Sequence, residues 1–310
     1  MVNHSQIELV WFEDCAALAD TLSFSRAAEL RHVTQPAFSR RIQALEAWVG
    51  TALFERNRRG VRLTVAGEMF NDRALEFLRS IHSLRAKTLE AAGKGIPALT
   101  FSATHSLSSL FFPAWLRKTG ISHLYDPLKL VSDTLDACER MFVHGDAQFL
   151  LCHYHPDTAQ RLAGAQFISI QVGEDTLIPL SAPDETGKRP KWAMDDKHTA
   201  IPLLCYSADS GLGRIIKHSR NTRLLREKMN AVFTSDLAAT LLAMTRAGDG
   251  VAWLPRTLAE PDLRNGALVS AAGANPRFDV PVQIRVFRPA ARMTEAAERL
   301  WARLAGDAAP

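Results

Sequence analysis

Residues 24–54 read Phe-Ser-Arg-Ala-Ala-Glu-Leu-Arg-His-Val-Thr-Gln-Pro-Ala-Phe-Ser-Arg-Arg-Ile-Gln-Ala-Leu-Glu-Ala-Trp-Val-Gly-Thr-Ala-Leu-Phe. The stretch spells two short amphipathic helices around a tight turn. Ser25 is placed to cap the first helix, with Glu29 near its first turn and Ala27, Ala28 and Leu30 giving a small packing face. That helix is expected to end near His32, with Val33 as an apolar plug in the turn. Thr34 suits the cap of the second helix. Pro36 suits its first turn, where a missing N–H costs little. Phe38, Ile42 and Leu45 follow at spacings of four and three and share one face, so Gln35, Ser39, Arg40 and Gln43 fall on the others. Gln pairs bidentately with adenine and Arg with guanine, and Ser donates to a base or a phosphate. An ordinary surface helix could carry the same residues, so the next segment decides.

Phe54 to Thr64 reads as two short strands around Asn57-Arg58-Arg59-Gly60, a turn in which glycine supplies positive φ. Arg56, Arg58 and Arg59 crowd its tip. From Ser25 to Arg62 there are eight arginines against three glutamates, an excess of five positive charges, whereas the whole 310-residue chain carries only +4. Charge concentrated in one short stretch is the electrostatic footprint of a DNA-binding module, here a helix-turn-helix with a basic wing.

The pattern resembles the winged helix-turn-helix of LysR-type transcriptional regulators. The residues that carry the resemblance are Phe24-Ser25, Ala27-Ala28 and Leu30, Val33 to Ser39, Ile42, Leu45-Glu46, Gly50, Leu53-Phe54, Arg56, and Leu63-Thr64 with Gly67. It implies that Gln35, Pro36 and Ser39 lie at the major groove and that wing arginines hold the backbone. The DNA-contacting set expected here is Thr34, Gln35, Pro36, Ser39, Arg40, Gln43, Arg56, Arg58 and Arg59. The partner is double-stranded DNA bearing promoter half-sites.

Thr64 is placed to cap a long helix running to about Ala92. Phe70, Phe77, Leu84 and Ala91 recur every seven residues, and Ala74, Ile81 and Thr88 do so on the neighbouring line. The seam suits a short coiled coil, with Phe70, Ala74, Phe77, Ile81 and Leu84 as dimerisation residues, although a helix packing on its own domain would show the same stripe. The resemblance implies a homodimer or homotetramer built on this linker helix. Residues 1–63 are thus expected as the DNA-binding domain, 64–92 as the linker helix and 93–97, Gly-Lys-Gly-Ile-Pro, as a hinge.

Residues 98–310 alternate strands and helices. Strands are expected at 98–103, 128–132, 148–152, 175–180, 201–205, 229–233, 250–255 and 280–287. Helices are expected at 106–116, 135–144, 213–219, 236–247 and 294–304. The alternation argues for parallel sheets built from crossovers, and the length suits two lobes. The resemblance implies an α/β effector domain of two Rossmann-like subdomains in a periplasmic-binding-protein-like arrangement. Open sheets of this kind take ligands beyond the carboxyl ends of their strands. Polar residues at those positions are Thr104, His105, Ser106, Ser132, Thr134, Ser207, Ser210, Thr234 and Ser235. They are the candidate contacts to a small-molecule effector, each alternatively a simple helix cap.

Cys15, Cys138, Cys152 and Cys205 show no paired spacing, and no secretion signal or membrane-length apolar run is present, so a cytoplasmic protein with reduced thiols and no membrane partner is expected. Cys152, His153 and His155 lack a further ligand, and Gly211-Leu-Gly213 lacks the third glycine of a dinucleotide fingerprint. Neither a metal nor a cofactor is expected. No nucleophile–base pair or phosphate loop has convincing spacing, so an enzyme is disfavoured. A nucleoid protein binding any duplex would not need a two-lobed cleft. The segments Thr34 to Ile42, His105 to Ser108, Gly250 to Pro255 and Arg292 to Trp301 are similar to a hypochlorite-responsive LysR subgroup that senses oxidant through methionines. Leu212 and Leu237 stand at two of the positions where such methionines would align, and leucine forms no sulfoxide.

Overall fold

The computed structural model describes residues 7–57, 60–92, 99–120, 127–158, 162, 166–187, 189–194, 201–223, 229–273 and 275–307. The chain forms two compact units, Met1–Ala92 with Val143–Asp146, and Gly93–Phe142 with Ala147–Pro310.

The first unit runs α1 (Leu9–Thr21), α2 (Phe24–Leu30), α3 (Gln35–Val49), β1 (Phe54–Asn57), β2 (Gly60–Leu63) and α4 (Val65–Ala91). Phe38, Ile42 and Leu45 on α3 meet Ala27 and Ala28 of α2, Cys15 and Leu18 of α1, and Leu53 in one buried cluster. Small residues on α2 are what let three helices approach this closely. The cap of α2 is Ser23, whose Oγ accepts from Arg26 N at 3.5 Å, and not Ser25. The helix begins at Phe24, which puts Ser25 inside its first turn. Thr34 has the extended backbone of a cap but its side chain makes no capping bond. Gly50 ends α3 at φ 84°, the left-handed conformation glycine adopts freely.

Two carboxylates organise this unit. Asp14 is fully buried on α1 and accepts from Arg31 Nε at 2.8 Å and Arg41 Nη1 at 3.4 Å. A carboxylate at that depth persists because guanidiniums compensate it. Glu46 Oε1 accepts from both Leu53 N, at 2.8 Å, and Phe54 N, at 3.0 Å, and so fixes the entry to the β1–β2 wing. At the wing's exit Thr64 Oγ1 accepts from Gly67 N at 2.9 Å and donates to Ala52 O at 2.9 Å. The backbone is so close here that a Cβ on Gly67 would sit 2.0 Å from Leu53 O.

In the second unit β3 (Leu99–Thr104) leads through a π-turn at Leu107–Phe111 into α5 (Phe112–Lys118). Then come β4 (Leu128–Asp133), α6 (Leu135–His144), β5 (Phe149–Tyr154), β6 (Phe167–Ser181) and β7 (Ile201–Tyr206). They are followed by α7 (Gly211–His218), α8 (Arg220–Arg223), β8 (Met229–Ser235), α9 (Ala238–Ala247) and β9 (Ala252–Pro255). The chain closes with α10 (Arg256–Asn265), β10 (Val269–Ser270), β11 (Val280–Pro289) and α11 (Glu295–Asp307). A seven-stranded sheet has the order β10-β6-β11-β5-β3-β4, with β9 also on β6, and β7 and β8 form a separate parallel pair.

The α/β class and its two lobes stand, but among the described strands parallel ladders join only β3 with β4 and β5, and β7 with β8, with one isolated parallel bridge from Leu203 to Val251. β6, β9, β10 and β11 pair antiparallel. β6 is 15 residues long, and β11 follows it from Val280 opposite Leu177 to Pro289 opposite Phe167. One end of this ribbon supplies Ile284 and Val286 to a core with Phe101, Phe149, Trp115 and Leu300. The other supplies Leu177, Val280 and Val282 to a core with Trp253, Leu212 and Ile215. The β6–β11 ribbon therefore passes from one lobe to the other. The expected hinge at 93–97 lies outside the described residues. None of the described helices is long and apolar enough to cross a membrane.

Candidate DNA interface and effector cleft

With Phe38, Ile42 and Leu45 turned inward, the amino-terminal half of α3 presents Thr34, Gln35, Pro36, Arg40 and Gln43 to solvent, with Ser39 half-buried. Gln35, Ser39 and Gln43 follow one another at intervals of four and form a single line of hydrogen-bonding groups. Arg40 and Arg41 are adjacent in sequence but differ in task. Arg40 is exposed, whereas Arg41 reaches Asp14. Arg56 lies 4.0 Å over the Phe24 ring, so it braces the wing against α2. Arg58 and Arg59 lie outside the described residues.

The residues expected on the coiled-coil seam divide. Ala74 is buried inside the unit, Phe70 stacks on Phe12 of α1 at 5.7 Å, and Phe77 meets the same ring tilted at 5.1 Å. Ala74 and Phe70 therefore serve the unit's own packing. Ile81 is half-buried, while Phe77 and Leu84 remain exposed together with Val65 and Met69.

In the second unit a narrow cleft, enclosing about 20 Å³, lies beyond the carboxyl ends of the strands. β3 delivers Thr104, His105 and Ser106; β4 and the start of α6 deliver Asp133, Thr134 and Leu135; β5 delivers His153. From the other lobe come Ser210, Gly211 and Leu212 at the start of α7, and Asp236 and Ala238 at the start of α9. The lobes touch closely at this point. A Cβ on Gly211 would meet Leu135 Cδ2 at 2.9 Å, which accounts for the glycine discounted above as a nucleotide motif. Arg214 on α7 donates to Glu139 Oε2 at 2.8 Å and Asp136 Oδ1 at 3.1 Å on α6, so an ionic contact ties the two rims.

Of the nine expected effector contacts, Thr104, His105, Ser106, Thr134 and Ser210 line this cleft and four do not. Ser132 is spent on His105 Nδ1 at 3.0 Å and Ser108 Oγ at 2.7 Å. Ser235 Oγ accepts from Leu237 N at 3.1 Å, a local cap. Thr234 is exposed away from the lining, and Ser207 lies behind it. Thr134 and Ser210 cap their helices too, accepting from Ala137 N at 3.3 Å and Gly213 N at 3.4 Å.

Asp133, Leu135, His153, Gly211, Leu212, Asp236 and Ala238 were not among the expected contacts. The signal for His153 in the sequence is its position at the carboxyl end of a strand. Among the described residues no three His, Cys, Asp or Glu side chains gather to hold a metal.

His153 is the most informative residue of the cleft. Its side chain is buried and its Nε2 has no hydrogen-bond partner. Burial pulls its pKa down to about 4 against the opposing charge of Asp175, so the ring is neutral. Thr104 Oγ1, Tyr206 OH and Ser207 Oγ are likewise buried without a partner. Unsatisfied polar atoms are uncommon in folded proteins, and the two that line the cleft, His153 Nε2 and Thr104 Oγ1, mark a place where something else supplies the bonds.

A prediction follows from the depressed value. The unfolded chain takes up a proton near pH 6.5 and the folded one only near 4, so stability is present above pH 6.5 and falls as pH drops toward 4. The loss is of order 3 kcal/mol at about 1.4 kcal/mol per pH unit. Denaturant melts at stepped pH should show this slope, and His153→Gln should remove it.

The thiols are poor oxidant targets. Burial pushes Cys15 and Cys138 up to about 12 and raises Cys152 and Cys205 as well. Leu212 is a buried lining residue of the cleft, and Leu237 is exposed beside it.

Comparison with known proteins gives a consistent result. Residues 9–68 match the bacterial regulatory helix-turn-helix protein model of the lysR family, and residues 94–309 match the LysR substrate binding domain. The chain is 30% identical over 298 residues to the HTH-type transcriptional regulator YjiE of Escherichia coli K12, spanning 96% of this chain and 94% of that one. Among solved structures it is similar to full-length HypT of Salmonella typhimurium, a hypochlorite-specific LysR-type regulator, with a TM-score of 0.59 and 28% identity over 98% of each chain. It is also similar to Vibrio fischeri DarR, solved in complex with DNA, with a TM-score of 0.55 and 28% identity over 96% of this chain and 98% of that one. The chain belongs to the LysR family of bacterial transcriptional regulators, with an amino-terminal DNA-binding helix-turn-helix and a carboxy-terminal effector-binding domain.

Proposed function

We propose that this regulator reads its operator with Gln35, Ser39, Arg40 and Gln43 of α3, that Thr34 and Pro36 seat the helix end against the duplex, and that Arg58 and Arg59 grip phosphates beside it. Arg56 is assigned to bracing the wing. Two copies pair through the exposed apolar positions of α4, Phe77 and Leu84 foremost, so that two recognition helices meet two half-sites. A small molecule in the inter-lobe cleft changes the angle between α6 and α7, where Arg214 holds Asp136 and Glu139, and thereby the half-site spacing the dimer favours. The protein works in the cytoplasm. Residues 1–63, 64–92 and 98–310 divide these tasks, with 93–97 as the hinge.

The observation that carries the DNA reading is the line of hydrogen-bonding side chains on α3, with Gln35 and Gln43 exposed and Ser39 half-buried, beside its buried apolar face. Gln35→Ala and Arg40→Ala should each weaken operator binding by about 1–3 kcal/mol while leaving random-sequence DNA almost unaffected. Competitive gel shifts of operator against random duplex measure the difference. An unchanged preference in both variants would show that α3 is not the reading helix.

A further inference from the structure

The cleft also carries information about the chemistry of its ligand, an inference that rests on the effector reading above. Its described lining has two acidic side chains, Asp133 and Asp236, and no lysine or arginine. His153 contributes no charge, since burial keeps it neutral. Helix amino-termini often stand in for basic residues by offering free N–H groups to an anion. Here three N–H groups at these helix starts are already engaged. Thr134 N donates to Asp133 Oδ1 at 2.7 Å, Ala137 N to Thr134 Oγ1, and Gly213 N to Ser210 Oγ. An inorganic anion or a simple carboxylate would enter a site that faces it with two acidic side chains and no lysine or arginine. A protonated amine has three donors and no acceptor, and two carboxylates suit it.

We propose that the molecule accepted by this cleft carries a protonated amine, held by Asp133 and Asp236, and a second polar group that reaches His153 Nε2 and Thr104 Oγ1. The buried, unpartnered His153 Nε2 provides the orientation point. Neutral imidazole offers either one N–H or one lone pair there, and a hydroxyl, amide or carboxyl group on the ligand can answer either. The enclosed space of about 20 Å³ has room for a group of ammonium size, so the rest of the ligand enters only as the lobes part.

The test uses the full-length protein at pH 7 and four probes: n-butylammonium chloride, 2-aminobutyrate, sodium butyrate and sodium bromide. Each is titrated at constant ionic strength while the thermal transition of the regulatory unit is followed. The two amine-bearing probes should raise Tm in a saturable way, with 2-aminobutyrate the stronger. Asp236→Asn, at an exposed position where the change is structurally mild, should weaken that response at least tenfold. A rise in Tm with butyrate or bromide that Asp236→Asn leaves intact or strengthens overturns the proposal. So does an amine response that survives this substitution. If the anions act and His153→Gln cancels their effect, the cleft remains the effector site and only the amine is wrong. If no probe response changes in any cleft variant, the effector reading falls with it.

Discussion

Phe38→Ala should abolish operator binding by unfolding the unit that performs it. Phe38 is fully buried, meets Phe24 edge-on at a ring distance of 6.1 Å, and shares its cluster with Ile42, Leu45, Ala27 and Leu18. Truncating a buried phenylalanine costs about 3–5 kcal/mol, because the surrounding helices close only part of the void. A domain has total stability of about 5–15 kcal/mol, so a large fraction of the margin disappears. The expected result is an earlier thermal transition of the DNA-binding unit than in the parent, with the regulatory unit's transition unmoved. A variant that binds operator normally and melts as the parent does would show that α3 is not anchored by this face.

Gly67→Ala is the second large effect, and two principles disagree about its sign. Gly67 lies inside α4, where alanine is ordinarily the better helix former by about 1 kcal/mol. Its Cβ, however, would stand 2.0 Å from Leu53 O and 3.1 Å from Leu63 Cδ2. The first obstacle is backbone and cannot swing aside. Leu53 O also accepts from Thr64 N at 2.9 Å, the bond that joins the wing to the start of α4. Overpacking costs about 1–3 kcal/mol and more where backbone must move, so sterics outweigh propensity and the variant should lose about 3 kcal/mol. Chemical denaturation of the DNA-binding unit decides between them. A more stable variant would place the β1–β2 exit further from α4 than this structure has it.

The helix-turn-helix was legible because local chemistry and tertiary packing agree there. Phe38, Ile42 and Leu45 repeat at helical spacing, Pro36 and Gly50 bracket the helix, and Glu46 looks outward in sequence yet caps Leu53 and Phe54 in space. The error at Ser25 was one of register by two residues, which only the position of Phe24 could resolve. Arg41 and Arg56 were harder to read. A sequence displays a charge but not its direction, and both guanidiniums turn to partners inside the unit.

In the regulatory unit, alternation gave the class of fold and concealed the antiparallel half of the sheet. The segment 167–174 mixes polar and apolar residues as a half-buried strand does, and α10 contains Pro261, which reads as a breaker. The cleft was found in outline by the strand-end rule. Its two carboxylates and its histidine were missed because hydroxyls drew attention, and several of those hydroxyls prove to be caps.

The long β6–β11 ribbon has a consequence for how the two lobes can move. Each lobe has its own apolar interior, yet ten residues of β11 are hydrogen-bonded along β6 through both, with one irregularity at Ile284 and Arg285. Lobes joined by loose tethers could swing freely, but a shared spine of this kind flexes as a leaf spring does. Closure about it is a small torsion with a restoring force, and any occupant of the gap works against that elasticity.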